Sequence, residues 1–370
     1  MKNMKIVIAF VAGAAVAGTV AVAAPTSTTL TVCADNRTKV LTLPTNGNCK
    51  VSTTAYSLGG GTSGSFDAKA ISSLVTPSVV SIEVTTATGG GTGSGSIYKT
   101  SATSSYIITN NHVVADAASG GTIMVELSNG DQYKATIVGR DSNYDIAVLK
   151  IQFGNLTTIA IGDSSKVSVG DPVLAIGSPL GLASTVTAGI ISALNRPVTT
   201  GTTDYTSYVD ALQTDAAINP GNSGGALVDS QGRLIGVNSA IATDPSGNSS
   251  GNIGLGFSIP INEAKRIVDE IIATGKSTRP VLGVYFDPTY TGIGAKISKL
   301  SAGEGAEKAG VPVGSIIRQI NGVKIPDQET AIVRIRAMSP GDVVSVVVDL
   351  PSGGQKTFSI TLGSAPSSTS

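Results

Sequence analysis

The chain has 370 residues, of which 41 % are hydrophobic and 14 % charged, so it is long enough for two or three domains with buried cores. Its 25 basic residues balance 25 acidic ones without a basic run, which argues against nucleic acid or an anionic membrane surface as a partner. One histidine and two distant cysteines cannot supply the ligands of a zinc site, so we expect no metal and no cofactor. The 45 glycines and the lack of tryptophan are typical of a β-rich, loop-rich soluble protein.

The first 24 residues predict an export signal. Lys2 and Lys5 precede an apolar run from Ile6 to Ala24, and the small residues at 21–23 predict a cleavage site. An uncleaved membrane anchor is the alternative, because about 19 apolar residues can just span a bilayer. Cleavage is favoured because the run is rich in alanine and glycine and only weakly hydrophobic. Either outcome places the rest of the chain outside the cytoplasm, secreted or attached to the cell envelope.

Residues 25–56 predict a small exported segment held by a disulfide between Cys33 and Cys49. An even number of cysteines in an exported chain favours pairing, and such a bridge stabilises the fold by roughly 3 kcal/mol. The intervening run 39–43 predicts one strand of a stapled hairpin. Residues 57–65 are rich in glycine and serine and predict a flexible linker.

Between residues 66 and 275 the pattern is mainly β and predicts two barrels in one domain. A short helix at 67–74 comes first, and a helix at 260–275, capped by Asn262, ends the region. Short β-rich runs separated by glycine and asparagine favour a barrel or a sandwich. They lie at 79–84, 105–108, 123–127 and 147–151, and in a second set at 172–176, 185–194, 226–228, 234–238 and 255–259. The glycine-rich stretch 89–95 predicts a mobile loop.

The segment Asn219–Gly225 predicts a sharp loop with the hydroxyl of Ser223 at its tip. Glycine adopts positive φ and lets other groups approach the backbone, and Pro220 fixes φ at the entrance. Backbone N–H groups would then point into one small cavity, which is the shape of an oxyanion hole made by Gly221, Asn222 and Ser223. A plain Gly/Asn turn that contains a serine is the alternative.

A serine needs a base to be an efficient nucleophile, and the single histidine, His112, is the candidate. An imidazole suits proton transfer at neutral pH, although a hydrogen-bonded structural histidine is the alternative. Asp145 is the predicted orienting carboxylate because it lies where a polar turn gives way to an apolar, β-rich run. The other aspartates nearby have more polar surroundings and predict solvated turns: Asp116, Asp131, Asp141 and Asp163.

These residues and their surroundings resemble the HtrA/DegP family of trypsin-fold serine proteases. The matching segments are Thr109–Val114, Asp145–Lys150, Ala175–Gly181, Gln213–Gly225, Gly236–Asn238 and Gly256–Pro260. Several motifs in the right order are far more specific than one Asn-Ser-Gly-Gly sequence. The resemblance implies a chymotrypsin-like, two-barrel fold with His112 and Asp145 on the first barrel and Ser223 on the second. The active site would then lie in the cleft between the barrels.

The residues that precede the nucleophile predict a small apolar pocket for the side chain before the cleaved bond. Ala217 stands where specificity for basic residues would need a carboxylate. The predicted pocket comprises Ala217, Ile218, Asn238, Ser239 and Ala240. We therefore expect cleavage after valine, alanine or similar aliphatic residues in unfolded chains, as the resemblance also implies.

Residues 280–364 resemble the PDZ domain that follows HtrA proteases. The matching segments are Leu282–Val284, Ala306–Gly310 and Gly314–Gly322. Such a domain binds a peptide C-terminus by adding a strand to a sheet edge, while backbone N–H groups take the carboxylate. The carboxylate loop is predicted at Val281, Leu282, Gly283 and Val284. A packing domain that binds nothing tightly is the alternative, and the Ser/Thr-rich tail at 365–370 predicts disorder.

Two functional classes remain open. The first is a serine endopeptidase of extracytoplasmic protein quality control, which cleaves unfolded or misfolded proteins and binds peptide C-termini at its PDZ domain. The second is a proteolytically silent, peptide-binding or chaperone-like protein on the same scaffold. The complete set of triad residues favours the first. The resemblance also implies a homo-oligomer, commonly a trimer.

Overall fold

The structure is a computed structural model that describes residues 30–37, 41–42, 44, 49–50, 52–58, 66–178, 185–202, 205–239 and 254–367. The chain divides into two compact units, residues 1–65 and 66–370. The predicted export signal lies outside the described residues. Within the described ranges, no helix is long and apolar enough to cross a membrane.

The small N-terminal unit contains a three-stranded antiparallel sheet. Its strands are β1 (Leu30–Asp35), β2 (Leu41–Thr42) and β3 (Thr53–Leu58), in the order β2-β1-β3. Cys33 is disulfide-bonded to Cys49 with 5.5 Å between their Cα atoms, so the predicted pairing is confirmed. Residues 57 and 58, predicted as the start of the linker, belong instead to β3, in which Leu58 pairs with Leu30. The rest of the predicted linker lies outside the described residues.

The first closed barrel of the large unit has the strand order β4-β5-β6-β9-β8-β7. Helix α1 (Ala68–Val75) precedes it, and the carboxylate of Asp67 caps this helix by accepting the N–H of Ala70. The strands are β4 (Val79–Thr86), β5 (Gly89–Thr100), β6 (Ser105–Thr109), β7 (Gly121–Glu126), β8 (Gln132–Asp141) and β9 (Ile146–Ile151), with helix α2 (Asn111–Val114) between β6 and β7. The four predicted strands are confirmed, and β5 and β8 are additional.

Strand β5 replaces the mobile loop that the glycines at 89–95 predicted, and that prediction was wrong. These glycines pair with β4 through their backbone groups, so the strand needs no side chains there. A Cβ at Gly93 would lie 2.6 Å from a methyl carbon of Val113 and 3.2 Å from the carbonyl oxygen of Ser223. Gly90 and Gly93 therefore mark places where neighbouring atoms approach the strand closely, and the stretch belongs to the sheet.

The second closed barrel has the order β10-β11-β12-β15-β14-β13. Its strands are β10 (Pro172–Gly177), β11 (Thr185–Thr202), β12 (Tyr205–Thr214), β13 (Ala226–Val228), β14 (Leu234–Ser239) and β15 (Gly256–Pro260). The five strands predicted here are confirmed, and β12 is additional. Large apolar side chains such as Leu174, Ile176 and Leu227 are fully buried. The predicted mainly β, two-barrel architecture is thus confirmed.

Helix α3 (Ile261–Thr274) packs on strands of both barrels. Its apolar face is buried, and Gly275, with a φ of 77°, ends it in the left-handed region. Asn262 does not cap the helix as predicted, because the chain enters directly from β15 and Asn262 already lies in the first turn. Its side chain instead donates to Asp163 at 2.8 Å and accepts the N–H of Ser164.

The C-terminal part of the large unit has its own hydrophobic core under a sheet of order β17-β18-β19-β21-β22. Its strands are β16 (Thr278–Val281), β17 (Val284–Phe286), β18 (Ala295–Leu300), β19 (Ile316–Ile320), β20 (Val323–Lys324), β21 (Val343–Asp349), β22 (Gln355–Thr361) and β23 (Gly363–Pro366). Two helices accompany them, α4 (Gly305–Lys308) and α5 (Gln328–Arg336).

The tail predicted as disordered from residue 365 is structured through Ser367. Strand β23 pairs with β16, with Ala365 opposite Arg279. The N–H of Ser367 then donates to the carbonyl of Ser277 at 3.0 Å. The prediction failed because composition alone does not reveal that β16 offers these residues backbone partners.

Candidate active site

His112 and Asp145 form a hydrogen-bonded pair at one end of the first barrel. His112 lies on α2, directly after β6, and Asp145 lies in the turn between β8 and β9. The Nδ1 atom of His112 is 2.8 Å from Oδ2 and 3.1 Å from Oδ1 of Asp145. The backbone N–H of His112 also donates to Oδ1 at 2.9 Å. Because the carboxylate occupies Nδ1, the nitrogen left to accept a proton is Nε2.

Asp145 is held in a backbone conformation that few residues other than glycine adopt, with a φ of 54°. Its carbonyl accepts the side-chain N–H of Asn110 at 2.9 Å and the backbone N–H of Asn111 at 3.1 Å. From the second barrel, the hydroxyl of Ser239 donates to Oδ2 at 3.5 Å. Asp145 is only 2 % exposed. Hydrogen bonds from both barrels therefore hold its buried carboxylate towards His112.

Asp141 was predicted as a solvated turn residue, but it is fully buried at the end of β8. Its carboxylate accepts the N–H of Asn143 at 3.0 Å and the hydroxyl of Ser277 at 2.7 Å. Burial raises the pKa of Asp141, while these hydrogen bonds act in the opposite direction. The prediction failed because Ser277, which binds the buried carboxylate, is distant in sequence from Asp141. Asp141 thereby fastens the turn that carries Asp145.

The loop between β12 and β13 carries Ser223, which is 5 % exposed. Gly221 and Gly224 have φ values of 96° and 83°, a region that glycine adopts without the penalty of a Cβ. A Cβ at Gly224 would also lie 2.2 Å from the carbonyl oxygen of Ser94. The glycines therefore allow the nucleophile loop to press against β5. The third predicted oxyanion residue, Asn222, is buried in the same loop.

His112, Gly221 and Ser223 line one cavity of about 440 Å³. Its other walls come from the end of β4, the glycine-rich start of β5, Val113, Asp116 and Pro220. The structure thus brings the predicted base and the predicted nucleophile to a shared space, with Asp145 bonded to the far side of the imidazole. Among the described residues, no group of three or more histidine, cysteine, aspartate or glutamate side chains could hold a metal ion.

The residues of the predicted substrate pocket flank the nucleophile loop. Ala217 is half-buried and Ile218 is buried. Asn238 is fully buried, and both ends of its side chain are hydrogen-bonded inside the second barrel. The hydroxyl of Ser239 contacts the carboxylate described above, and Ala240 lies outside the described residues. The pocket stays a prediction.

Sequence reasoning missed three polar residues that support the site. They are Ser94, Asn110 and Ser239, the last of which was assigned to the substrate pocket alone. Asn110 lies in a motif shared with the family, next to the histidine, which was a usable signal. Ser94 stands between two glycines in β5, and that spacing is consistent with a close backbone approach.

A second cavity, of about 520 Å³, lies in the C-terminal part between β17 and α5. It is lined by the four residues predicted as a carboxylate loop, Val281, Leu282, Gly283 and Val284. Gly283 has a φ of 82°, so the loop depends on glycine there. Within the described residues, β17 is an edge strand of its sheet. An edge strand beside a helix suits the addition of a peptide strand.

Comparison with known proteins agrees with this geometry. Residues 91–237 match the trypsin-like peptidase domain family. The chain is 45 % identical over 307 residues to the serine protease PepD of Mycobacterium tuberculosis. The alignment covers 80 % of this chain and 66 % of PepD. It is 39 % identical over 273 residues to a probable periplasmic serine endoprotease, DegP-like, of Rhizobium meliloti. That alignment covers 71 % of this chain and 52 % of the relative. The chain thus spans about one half to two thirds of the length of these curated relatives.

A solved structure gives the same result over nearly its whole length. The HtrA-type protease AlgW with a tripeptide aligns with a TM-score of 0.61 and 35 % identity, over 82 % of this chain and 98 % of that one. The resemblance first seen in the motifs around His112, Asp145 and Ser223 therefore extends to the fold. The chain belongs to the HtrA/DegP family of trypsin-like serine proteases.

Proposed function

We propose that this protein is a serine endopeptidase that acts outside the cytoplasm on unfolded or misfolded proteins. The observation that carries the proposal is the 2.8 Å contact between His112 Nδ1 and Asp145 Oδ2, on a histidine that shares a cavity with Ser223. The reaction class is also supported by relatives that are named serine protease and serine endoprotease.

Acylation follows from the roles that these positions allow. The Ser223 hydroxyl attacks the carbonyl carbon of the scissile peptide, and its proton passes to Nε2 of His112. Asp145 keeps the imidazole in one tautomer and stabilises the imidazolium that forms. The N–H groups of Gly221 and Ser223 hold the negative oxygen of the tetrahedral intermediate. The intermediate then collapses, and the leaving amine takes the proton from His112.

Deacylation repeats these steps with water. His112 removes a proton from the water as it attacks the ester carbonyl, and the same N–H groups hold the second oxyanion. The second collapse returns the proton to the oxygen of Ser223 and releases the carboxylic acid. No group beyond this chain and water is needed to balance the reaction.

A fluorophosphonate probe tests the proposal, because it reacts covalently with an activated serine. We expect the wild-type protein to be labelled and to digest unfolded casein, and Ser223→Ala to do neither while it keeps its fold. A wild type that stays unlabelled and leaves casein intact, with or without added peptide, would favour the silent, peptide-binding alternative.

Peptide binding at the C-terminal part is a further element of the proposal. Residues 280–364 would act as a PDZ domain whose groove takes a peptide C-terminus between β17 and α5. AlgW, one of the relatives with solved structures, has been solved with a tripeptide and with a decapeptide. Isothermal titration with a free-carboxylate peptide and its amidated counterpart tests this element, because only the first should bind.

The cellular location and the assembly state complete the proposal. The predicted export signal and the relatives named periplasmic support a place outside the cytoplasm. A homo-oligomer, a trimer by family resemblance, is proposed for the assembled state. Light scattering after size-exclusion chromatography, with and without peptide, measures its mass, and a monomer in both conditions would contradict it.

A further inference from the structure

The hydroxyl of Ser94 connects the nucleophile loop, which carries Gly221 and Ser223, to the residue that directly follows β10, Ser178. Ser94 lies on β5 and is fully buried. Its Oγ donates to the carbonyl of Gly221 at 2.6 Å and accepts the N–H of Ser178 at 2.8 Å. Its backbone N–H donates to the carbonyl of Ser223 at 2.8 Å, and its carbonyl accepts the hydroxyl of Thr109 at 2.7 Å. Every polar group of Ser94 is therefore engaged at the active site or beside it.

The bond to Gly221 acts on a residue that cannot hold its own conformation. Gly221 has a φ of 96° and no side chain, so few steric barriers limit rotation of the peptides on either side of it. The peptide between Gly221 and Asn222 is held at both ends: its carbonyl is bound by Ser94, and its N–H donates to the carbonyl of Asn219 at 2.9 Å. The Gly221 N–H belongs to the preceding peptide, between Pro220 and Gly221, which is the middle peptide of the turn that the bond from Asn222 to Asn219 closes. With the following peptide anchored, the Gly221 N–H can leave its direction only by rotation of this one peptide, through ψ of Pro220 and φ of Gly221.

That direction matters because an oxyanion hole works by preorganisation. Its donors must point to the place where charge develops, and removal of one such donor from a serine protease lowers kcat by roughly 100- to 1,000-fold. A donor that is present but free to turn away loses part of this effect. A residue that prevents the turning therefore contributes to rate without contacting the substrate.

We propose that Ser94 is a positioning residue of the oxyanion hole, whose hydroxyl anchors the Gly221 carbonyl and so restricts the rotations that would turn the Gly221 N–H away from the developing oxyanion. The proposal rests on the endopeptidase function proposed above and extends it to a residue of the first barrel. The second bond, to Ser178 at the end of β10, ties the same loop to the second barrel. The hydroxyl of Ser94 thus links the first barrel and the end of β10 to the nucleophile loop.

The same strand offers a matched control. Ser96 is 1 % exposed, and its hydroxyl has no hydrogen-bond partner within the described part of the chain. Ser96→Ala removes the same atom from the same strand at the same depth as Ser94→Ala. Only Ser94→Ala removes a contact to the nucleophile loop. A difference between the two variants therefore reports on that contact and not on the loss of a buried hydroxyl.

The experiment measures kcat and KM on a peptide substrate for the wild type, Ser94→Ala and Ser96→Ala. We expect Ser94→Ala to lower kcat by roughly 10- to 100-fold with KM within about threefold, because the aimed donor acts mainly in the transition state. Affinity for an aliphatic peptide boronic acid, which mimics the tetrahedral intermediate, should fall by a similar factor. The midpoint of the pH–rate profile should not move. Ser96→Ala should match the wild type in all four readouts.

Thermal unfolding of each variant separates positioning from loss of fold. Where Ser94→Ala is unfolded, Ser94→Cys keeps the size and a weak donor, and its kcat should be roughly 3- to 10-fold below that of the wild type. A folded Ser94→Ala or Ser94→Cys with the kcat and boronic acid affinity of Ser96→Ala overturns the positioning role and leaves the endopeptidase function intact. A wild type without activity overturns that function, and the role of Ser94 with it.

Discussion

The phenolic hydroxyl of Tyr144 donates a hydrogen bond of 3.0 Å to the backbone carbonyl of Arg336. Tyr144 directly precedes Asp145, and Arg336 is the last residue of α5, the helix that lines the C-terminal groove. In the opposite direction, the guanidinium of Arg336 donates to the carbonyl of Asn143, in the same turn, at 3.0 Å. The turn that carries the predicted catalytic aspartate is therefore clamped by the helix that lines the predicted peptide groove.

Removal of the side-chain part of this clamp should lower activity, while the bond from Tyr144 to the backbone carbonyl of residue 336 remains. In Arg336→Met the aliphatic stem is kept and the donors to Asn143 are lost, and hydrogen bonds from charged donors contribute about 1.5–3 kcal/mol. Because only part of that energy reaches Asp145, we expect kcat/KM on a peptide substrate to fall roughly 3- to 10-fold. The control is Arg334→Met, since Arg334 on the same helix binds Asp210 and not the aspartate turn. Equal losses in both variants would contradict the clamp.

Asp145→Asn should remove most of the activity and leave the fold intact. An amide cannot hold the imidazole in the required tautomer or stabilise its charged form, and the same change in the best-studied triad lowers kcat about 10,000-fold. We expect a loss of at least about 1,000-fold in kcat, measured on a peptide substrate. Asp116→Asn is the control, because Asp116 lines the same cavity but is exposed. A loss of less than tenfold in Asp145→Asn would remove this carboxylate from the proposed triad.

Glu263 on α3 should make the protein less stable as the pH rises. It is buried, and neither carboxylate oxygen has a hydrogen-bond partner among the described residues. Burial, followed by the charge of Asp210, raises the pKa of Glu263 from 4.5 to about 8. The folded state therefore holds this proton more tightly than the unfolded state does. The resulting stability is fully present below about pH 4.5 and is lost as the pH rises to about 8.

Glu263→Gln should remove this loss, because the amide stays neutral at every pH. We expect its midpoint of thermal unfolding to lie roughly 3–8 °C above that of the wild type at pH 8, with a smaller difference at pH 5. Scanning calorimetry across this range measures both. Glu329→Gln changes an exposed glutamate on α5 and should keep the wild-type pH dependence. If the unfolding midpoint of Glu263→Gln falls with rising pH as steeply as that of the wild type, another group causes the pH dependence.

Gly283→Ala should abolish peptide binding at the C-terminal groove. The residue has a φ of 82°, and a Cβ there would lie 2.2 Å from the Cβ of Glu304. The backbone must shift, so the N–H groups that would take a carboxylate lose their aim. Fluorescence anisotropy with a labelled free-carboxylate peptide should show an affinity at least about tenfold weaker.

The matched control for this change is Gly310→Ala. Gly310 also has a positive φ, 73°, but a Cβ there would meet nothing within 4 Å. Both variants therefore carry the backbone cost of about 1–2 kcal/mol for an L-residue at positive φ, and only Gly283→Ala carries the clash. Equal peptide affinity in the two variants would mean that this loop does not form the carboxylate site.

Digestion of unfolded casein tests the predicted substrate pocket. We expect mass spectrometry to find most cuts after valine, alanine or similar aliphatic residues, since Ala217 offers no charge to a basic side chain. Ser223→Ala provides the background of unspecific cleavage. Dominant cuts after lysine or arginine would contradict the assignment of Ala217 and Ile218 to this pocket.

The regular part of the fold could be predicted because its signals are local. Strands such as β4, β9 and β14 are short apolar runs between turn residues, and the periodicity of α3 marks its buried face. Strand β5 was missed because its glycines pair through the backbone alone and carry no apolar pattern. Strands β8 and β12 mix polar with apolar residues, so they also escaped the pattern.

By itself the sequence determined which chemistry the chain can supply. A serine in a glycine loop, a single histidine and an aspartate before an apolar run are chemical types at fixed positions, and types can be read without coordinates. The tertiary structure alone decided which buried polar groups support that chemistry. Ser94 meets Gly221 and Tyr144 meets Arg336 across long stretches of chain, and such partners depend on how the two barrels and the C-terminal part pack. A buried hydroxyl must find a partner, but nothing local in the sequence says which one.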